Sequence, residues 1–448
     1  MLQRLGIDSL NAMQEKAMDA ILRTDDDVVI LSPTGTGKTL AYLLPLVQLL
    51  DSTSPELQAV VVVPGRELAL QSAEVLKSMG CGLRAMALYG GRPTMDEHRE
   101  LRKVMPHIVF ATPGRLNDHL DKGNLHATFV RQLVIDEFDK CLEMGFQGEM
   151  EHLLTTMTAI ERRILLSATE PESIPKFVRM EHVVRLDYRV SDEQVSSRVY
   201  LYKVECGNWK VEGKSWNKAD KLPVLQRLLL DFGTQKSVVF LNYRESVERV
   251  ANHLRMQGFW VSAFHGGLEQ KQREDALYKF ANGSANILVC TDLASRGLDI
   301  PDIDNIIHYH LPETEQNYVH RVGRTARWNR QGRAFFILKS GEHIPSYVQE
   351  APADYVWETE SPDLNRLPAQ PLMVTLYVGK GRRDKISKGD VVGFLCKKGG
   401  LQGSEIGHIS VEERFTYVAV VREKLRQVLR NTRGEKIKGI KTVFEEVL

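Results

Sequence analysis

The strongest constraint on the fold is a repeated alternation of short apolar, β-branched runs with longer segments of helical periodicity. The runs lie at 28–31, 59–63, 108–110, 133–135 and 164–166, and again at 238–241, 261–264, 287–290, 306–307 and 334–338. This alternation is typical of a parallel sheet covered by helices. A polar stretch from about 187 to 220 separates the two sets. The sequence therefore predicts one α/β architecture used twice.

A third, smaller domain is predicted after a linker with five prolines between 345 and 371. Segments with strand and helix character then follow in the order βαββαβ, which is typical of a small RRM-like α+β domain. The predicted organisation is a first sheet domain at 1–188, a linker that includes a strand at 189–220, a second sheet domain at 221–342, a linker at 343–370 and an RRM-like domain at 371–448.

The composition, 43% hydrophobic and 26% charged residues, is that of a soluble globular protein. No apolar run approaches the roughly 20 residues that cross a bilayer, and the first residues do not resemble a secretory signal. The five cysteines are widely spaced and form no CxxC pair, which disfavours disulfides and zinc sites. We therefore expect a cytoplasmic protein without membrane association and, lacking a coiled-coil pattern, a monomer.

The net charge of +1 conceals an asymmetry. From position 371 onward there are 16 Lys and Arg against 9 Asp and Glu, whereas the preceding part has 43 against 49. A basic module on a mildly acidic body indicates a polyanionic partner. A lysine-rich, solvated surface is the alternative explanation.

A phosphate-binding loop is indicated directly after the first β-branched run, where residues 32–39 read SPTGTGKT and an apolar helix follows. Backbone N–H groups of such a loop wrap phosphate oxygens at a helix N-terminus. Lys38 is positioned to reach the β and γ phosphates of ATP, and the Thr39 hydroxyl to ligate Mg²⁺. The predicted loop contacts are Ser32, Thr34, Gly35, Thr36, Gly37, Lys38 and Thr39. Ser32 stands where the strict motif has glycine.

An acidic tetrapeptide, DEFD at 136–139, follows the run at 133–135. Asp136 at a strand end is placed to hold Mg²⁺ through water, and Glu137 to orient or deprotonate the attacking water. Alone, such a tetrapeptide is usually a solvated loop. Together with the phosphate loop it predicts ATP hydrolysis.

From about position 6 to 338 the sequence resembles the DEAD-box RNA helicases, which implies two RecA-like domains. The resemblance rests on a series of short motifs: GIDSLNAMQ ending at Gln14, PGRELA at 64–69, GG at 90–91, TPGR at 112–115, SAT at 167–169, HGG at 265–267 with Gln270 and Arg273, TDLASRGLD at 291–299 and HRVGRTAR at 320–327.

Roles follow from this resemblance. Gln14 is expected to recognise adenine, and Gly297 and Asp299 to contact ATP. RNA phosphates and 2′-hydroxyls would be bound by Arg66, Gly91, Thr112, Arg115, Gly266 and Thr291. Coupling of the ATP and RNA sites is expected from Asp139, Ser167, Thr169 and His320.

Arg324 and Arg327 are candidate arginine fingers. Gly323 and Ala326 leave little bulk around them, and planar guanidinium groups suit the charge that develops on the γ-phosphoryl oxygens. The alternative is a structural arginine cluster paired with carboxylates. Fingers supplied by the second domain would make hydrolysis conditional on domain closure.

The region from about 371 to 446 resembles the RNA-binding domain of bacterial DbpA-type helicases, which dock on a ribosomal RNA hairpin and act in large-subunit assembly. This implies an rRNA or pre-ribosomal partner. The predicted contacts are Arg382, Arg383, Lys385, Lys436 and Lys438. Phe415 and Tyr417 lie on one face of a predicted strand. They either stack on bases or pack beneath a helix.

The predicted function is thus ATP-dependent local separation or remodelling of RNA duplexes. The alternatives are a DNA translocase of the same superfamily, an ATP-gated RNA clamp without significant unwinding, and an RNA-binding protein with an inactive ATPase. Three departures from the family pattern stand out: Phe138 replaces an alanine, Gly65 a threonine that touches RNA in relatives, and Ala326 a glycine.

Overall fold

A computed structural model of the chain describes residues 1–33, 36–91, 94–169, 174–189, 199–206, 210–211, 214–215, 220–292, 303–325, 331–357 and 366–447. These residues separate into two compact units, one on each side of residues 190–198. The first unit contains one parallel sheet, called the first sheet domain. The second unit contains the second sheet domain and the C-terminal domain. Within the described ranges, no helix is both long enough and apolar enough to span a membrane.

The first sheet domain is built on seven parallel strands in the order β3-β4-β2-β5-β6-β1-β7. The strands are β1 (Asp27–Leu31), β2 (Ala59–Val62), β3 (Ala85–Leu88), β4 (Ile108–Ala111), β5 (Gln132–Ile135), β6 (Arg162–Ser167) and β7 (Val183–Asp187). All pairings are parallel, so the carboxyl ends of all seven strands share one edge.

Seven α-helices accompany this sheet in the described part of the chain. They are α1 (Ala12–Arg23), α2 (Lys38–Leu49), α3 (Arg66–Met79), α4 (Thr94–Val104), α5 (Pro113–Asp121), α6 (Phe138–Glu143) and α7 (Gln147–Thr156). Two separate apolar clusters lie against the sheet, with alternate strand residues contributing to each. Because both faces are covered, the central strands read as continuous apolar runs.

The second sheet domain repeats this plan with strand order β12-β13-β11-β14-β15-β8-β16. The strands are β8 (Val199–Glu205), β11 (Ser237–Phe240), β12 (Val261–Phe264), β13 (Ile287–Cys290), β14 (Asn305–His308), β15 (Gly332–Leu338) and β16 (Ala353–Asp354). Its helices are α8 (Leu222–Phe232), α9 (Arg244–Met256), α10 (Gln270–Ala281) and α11 (Glu315–Val322). A short hairpin, β9 (Lys210–Val211) and β10 (Lys214–Ser215), precedes α8.

Strand β8 lies within the polar stretch that separates the two halves of the sequence. It pairs in parallel along the full length of β15. Its exposed and half-buried residues alternate with few fully buried ones, which hides the strand from a search for continuous apolar runs. Strands β3 and β7 lie at sheet edges and are only partly buried; β3 is apolar without β-branched residues, and β7 is interrupted by Arg185.

The C-terminal domain has the expected βαββαβ order. Its four-stranded antiparallel sheet has the order β18-β19-β17-β22, with strands β17 (Met373–Val378), β18 (Ile406–Val411), β19 (Thr416–Val421) and β22 (Phe444–Glu446). Helices α12 (Lys388–Phe394) and α13 (Leu425–Thr432) pack on one face around a core that includes Leu376, Val391, Val418 and Val428. The small hairpin β20 (Lys436–Ile437) and β21 (Ile440–Lys441) precedes β22.

One buried histidine gives the second sheet domain a pH-dependent stability. His308 ends β14, stacks on Phe336 with 4.5 Å between ring centroids, and has no hydrogen-bond partner among the described residues. Burial lowers the pKa of His308 well below its usual value, and the positive charge of Arg321 lowers it further. The folded state therefore holds His308 neutral where the unfolded state is protonated.

We expect the free energy of unfolding to fall as the pH is lowered below about 6.5, where an exposed histidine titrates. The contribution of His308 to this slope is about 1.4 kcal/mol per pH unit, because unfolding takes up one proton. His308→Phe keeps the ring stack and removes the titration, so its urea-unfolding free energy should depend less on pH between 6.5 and 5. A slope equal to that of the parent chain would contradict this account.

Candidate nucleotide and RNA sites

The predicted ATP and RNA residues of the first sheet domain lie along one edge of its sheet, in two adjoining halves. Strands β5, β6 and β1 lead into Asp136, Thr169 and Ser32, the predicted ATP and coupling residues. Their neighbours β3, β4 and β2 lead into the RNA candidates at Gly91 and Thr112 and at Arg66, which starts α3. Ligands of open α/β sheets bind at this edge. The topology therefore brings both predicted sites together.

The phosphate loop is organised around Lys38, the first residue of α2. The Lys38 side chain is buried, and its Nζ donates to the Ser32 carbonyl at 2.8 Å. Ser32 Oγ lies 2.7 Å from Thr36 Oγ1, which also donates to the Pro33 carbonyl. These bonds hold the two ends of the loop together. Thr34 and Gly35, two predicted phosphate contacts, lie outside the described residues.

Gln14 connects the first helix to this loop. Its backbone N–H and side-chain oxygen form a capping box with Asn11, and its Nε2 donates to the Gly37 carbonyl at 3.2 Å. A Cβ at Gly37 would lie 2.4 Å from Gln14 Nε2, and Gly37 has φ +87°, so only glycine fits here. One amide N–H and one lone pair of Gln14 are left by these bonds, the pair of groups that an adenine edge requires.

A group of carboxylates faces the lysine. Asp136 is 3% exposed, and burial raises its pKa to about 7; Lys38 opposes this shift, while the negative charges of Glu137 and Asp139 add to it. A cation bound beside Asp136 would strongly stabilise the charged form of this carboxylate. Thr39, a half-buried residue on the first turn of α2, interacts through its side chain with Tyr42.

These residues fit Mg²⁺ held mainly by the nucleotide. Within the described ranges, no group of three or more His, Cys, Asp or Glu side chains could hold a metal ion. Mg²⁺ commonly takes one or two protein oxygens together with phosphates and waters. Asp136 and Thr39 supply that kind of donor set.

Three of the four predicted coupling residues, Asp139, Ser167 and Thr169, are linked by hydrogen bonds just beyond the ends of β5 and β6. Asp139 Oδ2 accepts hydrogen bonds from Thr169 Oγ1 at 2.8 Å and from the Thr169 backbone N–H at 3.3 Å. Ser167 Oγ donates to the Thr169 carbonyl at 2.5 Å, which closes the turn after β6. The DEFD loop and the SAT segment are therefore directly hydrogen-bonded to each other.

Two of the RNA candidates in the first sheet domain contact each other closely. Arg66 begins α3, and its guanidinium lies against Gly91, whose φ is +98°. A Cβ at Gly91 would lie 2.8 Å from Arg66 Nη1. Thr112 is the N-cap of α5, and its hydroxyl forms no capping bond with the first turn. Arg66 and Gly91 therefore lie side by side, and Thr112 follows the neighbouring strand β4. Amides, hydroxyls and guanidinium groups are the donors that bind phosphates.

The side chain of Arg115, a predicted RNA contact, forms hydrogen bonds within the first sheet domain. Its Nη1 donates to Glu97 Oε2 and to Thr94 Oγ1, both at 3.0 Å, and its side chain is 11% exposed. The same Glu97 oxygen lies 3.0 Å from His119 Nε2. Asn124 Nδ2 lies 3.2 Å from His119 Nδ1, which favours the tautomer with a proton on Nε2. Glu97 and His119 were not identified from sequence, because nothing in α4 marks a buried glutamate.

In the second sheet domain, Gly266 and Thr291 follow β12 and β13, which are neighbours in the sheet. Gly266 is exposed in a turn beside His265. His265 Nδ1 accepts from the Gly267 N–H at 3.1 Å, and Nε2 lies 2.7 Å from Glu248 Oε1. The turn is therefore fixed by an imidazole tied to α9.

The first arginine of HRVGRTAR has a structural role that the sequence reasoning missed. Arg321 is fully buried, and its Nε and Nη2 donate to the two Asp292 oxygens at 2.5 and 2.8 Å. It also donates to Asn242 Oδ1 and to the His310 carbonyl, both at 2.8 Å. One guanidinium therefore joins the ends of β11, β13 and β14.

The remaining predicted residues of this motif are partly described. His320 and Arg324 are both buried, and Arg324 Nε lies 3.4 Å from the His320 carbonyl. Arg327, Gly297 and Asp299 lie outside the described residues. The two candidate fingers consequently stay predictions.

The predicted basic contacts of the C-terminal domain cluster at one end of the domain. Lys438 Nζ donates to the Lys385 carbonyl at 2.9 Å and pairs with Asp390 at 3.0 Å, which joins the β20–β21 hairpin to the segment before α12. Arg383 pairs with Glu413 at 2.8 Å. Arg382, Lys385 and Lys436 are exposed. We call Arg382, Lys385, Lys436 and Lys438 the basic edge.

The open question about Phe415 and Tyr417 is answered for Tyr417. This side chain is 6% exposed, and its hydroxyl donates to Asp275 Oδ1 on α10 at 2.8 Å. Tyr417 therefore packs beneath a helix of the second sheet domain. Phe415 is half-buried, with its ring 4.8 Å from that of Tyr417 and 5.6 Å from that of Tyr377.

Comparison with known proteins agrees with this arrangement. Three family models match: DEAD/DEAH box helicase over residues 11–177, helicase conserved C-terminal domain over 220–329, and DbpA RNA binding domain over 375–446. The ATP-dependent RNA helicase DbpA of Escherichia coli strain K12 is 34% identical over 449 residues, with 98% of this chain and 94% of that protein covered. This chain belongs to the DEAD-box ATP-dependent RNA helicases. It is accordingly an RNA-dependent ATPase.

Other relatives of this DEAD-box helicase extend the agreement. The ATP-dependent RNA helicase DbpA of Bacillus subtilis strain 168 is 29% identical over 469 residues, covering 98% of this chain and 95% of that protein. Among solved structures, the DEAD-box helicase Mss116 bound to ssRNA and UDP-BeF has a TM-score of 0.66 at 27% identity, over 75% of this chain and 71% of that chain. Both comparisons agree with the tandem RecA-like fold.

Phe138, which replaces the alanine of the DEAD tetrapeptide, is accounted for by packing. The ring is 1% exposed and belongs to the apolar cluster that contains Leu31, Ile135 and Leu165. It points away from the carboxylates into the space between the sheet and its helices. The substitution therefore changes the support of the catalytic loop rather than its polar groups.

Restoring the family residue should consequently be destabilising here. We expect Phe138→Ala to lower the free energy of unfolding of the first sheet domain by about 3–5 kcal/mol, because a buried ring is lost and a cavity is left. Phe138→Leu is the matched control and should cost less. Urea unfolding measures both, and ATPase activity per folded molecule should persist. An alanine variant as stable as the parent would show that the packing of Phe138 does not stabilise the domain.

Proposed function

We propose that this RNA-dependent ATPase couples ATP hydrolysis to local separation or remodelling of RNA duplexes, and that its target is ribosomal RNA during assembly of the large subunit. The observation that carries the proposal is the shared strand-end edge, where the ATP residues and the RNA candidates are neighbours in one sheet. The basic edge of the C-terminal domain supports an RNA hairpin as the target. The cytoplasm is the proposed compartment, and a monomer the proposed state.

In the proposed reaction, Lys38 and the loop amides bind the β and γ phosphates of ATP, and Thr39 and Asp136 would hold Mg²⁺. The metal ion would neutralise charge on the phosphate oxygens. Glu137 orients the attacking water and accepts its proton. Its φ of +50° at the N-terminus of α6 turns this residue out of the strand direction beside Asp136. Arg324 and Arg327 supply positive charge to the γ-phosphoryl group from the second sheet domain.

Coupling to RNA follows from the connected strand ends. When the two domains close on ATP, the Asp139–Thr169 link transmits the position of the DEFD loop to the turn after β6. RNA phosphates are gripped by Arg66, Gly91, Thr112 and Arg115 in one domain and by Gly266 and Thr291 in the other. A strand bent across both domains cannot stay paired with a straight complement, so base pairs are lost locally.

An ATP-gated clamp is the second candidate, because it would use the same closed state without strand release. Release of a labelled strand from a short tailed RNA duplex separates the two functions. Release that requires ATP supports the helicase, whereas ATP-dependent RNA retention without release supports the clamp.

The catalytic assignment predicts a specific phenotype for Glu137→Gln. Loss of the general base should lower the rate of RNA-stimulated ATP hydrolysis by about 10²–10⁴-fold, while ATP and RNA still bind. Glu151→Gln, an exposed carboxylate change on α7, is the control and should leave turnover intact. Turnover of Glu137→Gln at the parental rate would remove this residue from its proposed role.

The rRNA assignment predicts that the basic edge sets RNA preference. A full-length triple variant with Arg382, Lys385 and Lys436 changed to Gln should lose its preference for an rRNA hairpin over unstructured RNA, with about a tenfold or greater loss of hairpin affinity at moderate salt. The charge-matched control changes Arg426, Arg430 and Arg433, exposed residues in and just after α13, to Gln. Equal losses in both variants would indicate non-specific attraction and would defeat the assignment.

A further inference from the structure

The face of the C-terminal sheet opposite its own helices is occupied by the second sheet domain. Along β17 and β19, Leu376 and Val418 point into the core of the C-terminal domain, whereas Thr375 and Tyr417 point the other way. Both outward residues are less than a tenth exposed. A sheet face that binds bases would have to be open, and this one is covered.

The contacts across this face are specific rather than merely apolar. On α10, Asp275 accepts from the Tyr417 hydroxyl at 2.8 Å, and the Tyr278 hydroxyl donates to the His408 carbonyl at 2.7 Å. Just beyond α10, Asn282 Nδ2 donates to Thr375 Oγ1 at 2.9 Å. The rings of Tyr278 and Tyr417 lie 5.2 Å apart. Each bond has one partner in each domain, so the set defines an orientation.

A second point of attachment lies at the edge of the interface. The guanidinium of Arg422 covers the ring of Trp260, with 3.8 Å from its central carbon to the ring centroid. Arg422 also donates to the carbonyls of Pro371 and Met373 at 2.8 and 2.9 Å. It therefore joins the end of the linker, the adjacent ends of the central strands β17 and β19, and the second sheet domain. Two attachment points on different elements resist rotation better than one.

The charge of Asp275 strengthens the hydrogen bond that it accepts from Tyr417 across this interface. A hydroxyl bonded to a carboxylate forms one of the stronger protein hydrogen bonds, and its loss shifts an equilibrium by about tenfold or more. The cation–π contact of Arg422 with the indole ring of Trp260 also stabilises the interface electrostatically. Removing both should therefore weaken the attachment of the C-terminal domain to the sheet domain, and so broaden its orientation, without altering the core of either.

We propose that Asp275 and Trp260 are positioning residues: they hold the C-terminal domain on the second sheet domain, so that an RNA hairpin captured by the basic edge is presented to the motor in one fixed orientation. The aromatic sheet face is then a docking surface within the chain and not a base-stacking platform. This inference rests on the proposed function of the basic edge as the hairpin contact.

The test uses the full-length double variant Asp275→Ala/Trp260→Leu, which leaves every atom of the C-terminal domain unchanged. Tyr417→Phe removes the same hydrogen bond from the other side while keeping the ring. Tyr377→Phe is the matched control, since this hydroxyl lies on the same face and the described residues give it no hydrogen bond. Spin labels at Met256 and Arg430, both exposed, report the distance between the two domains by pulsed electron resonance.

We expect a narrow distance distribution in the parent and in Tyr377→Phe, and a broad one in the double variant. Hairpin affinity should stay within about twofold in the double variant, while hairpin-stimulated ATP turnover falls about tenfold or more, as expected when orientation rather than binding is lost. Turnover stimulated by unstructured RNA should be retained, which shows that the sheet domains are folded and active.

Three results would overturn the inference. An unchanged distance distribution in the double variant would show that these residues do not hold the interface. A broad distribution with full hairpin stimulation would show that docking does not serve the reaction. A loss of hairpin affinity in Tyr417→Phe equal to that of the basic-edge variant would make the aromatic face an RNA site. Failure of the proposed rRNA function is distinct, because the parent itself would then show no hairpin preference.

Discussion

The parallel arrangement of the strands is the constraint on which the rest of this molecule depends. Because all seven strands of the first sheet run the same way, their carboxyl ends form one edge, and the loops that carry the predicted nucleotide and RNA residues leave from it. Three neighbouring strands lead to the nucleotide residues and three to the RNA candidates. The two halves of this edge are therefore only one strand spacing apart, at β2 and β5. The Asp139–Thr169 hydrogen bonds join the ends of β5 and β6 within the nucleotide half.

Buried charge is used differently in the two sheet domains. In the first, Lys38 faces several carboxylates, and burial raises the pKa of Asp136. A bound cation would oppose this shift by stabilising the charged carboxylate. In the second, the guanidinium of Arg321 donates hydrogen bonds to Asp292, Asn242 and the His310 carbonyl. Its role is therefore to join three strand ends. Removing one partner of such a buried pair is costly because the other charge is left uncompensated. Neighbouring arginines of one motif can therefore have unlike roles.

The C-terminal domain packs against the second sheet domain. Its helices bury one face of its sheet, and the second sheet domain buries the other, through Tyr417, Thr375 and Arg422. The basic edge lies outside this covered face, and Arg382, Lys385 and Lys436 on it are exposed. The position of the aromatic residues therefore bears directly on the proposed role of the charged ones.

The sequence by itself determined the α/β class, the repeated architecture, the phosphate loop and the acidic tetrapeptide, because apolar runs and short motifs depend on neighbours along the chain. It missed the edge strands β3 and β7, where burial is partial and no continuous β-branched run forms. Only the tertiary structure decided the roles of Glu97, Arg321 and Phe138, and it turned Tyr417 from a candidate for base stacking into a docking residue. Each of these depends on a partner far away in sequence, and local patterns carry no information on what will pack against a given side chain.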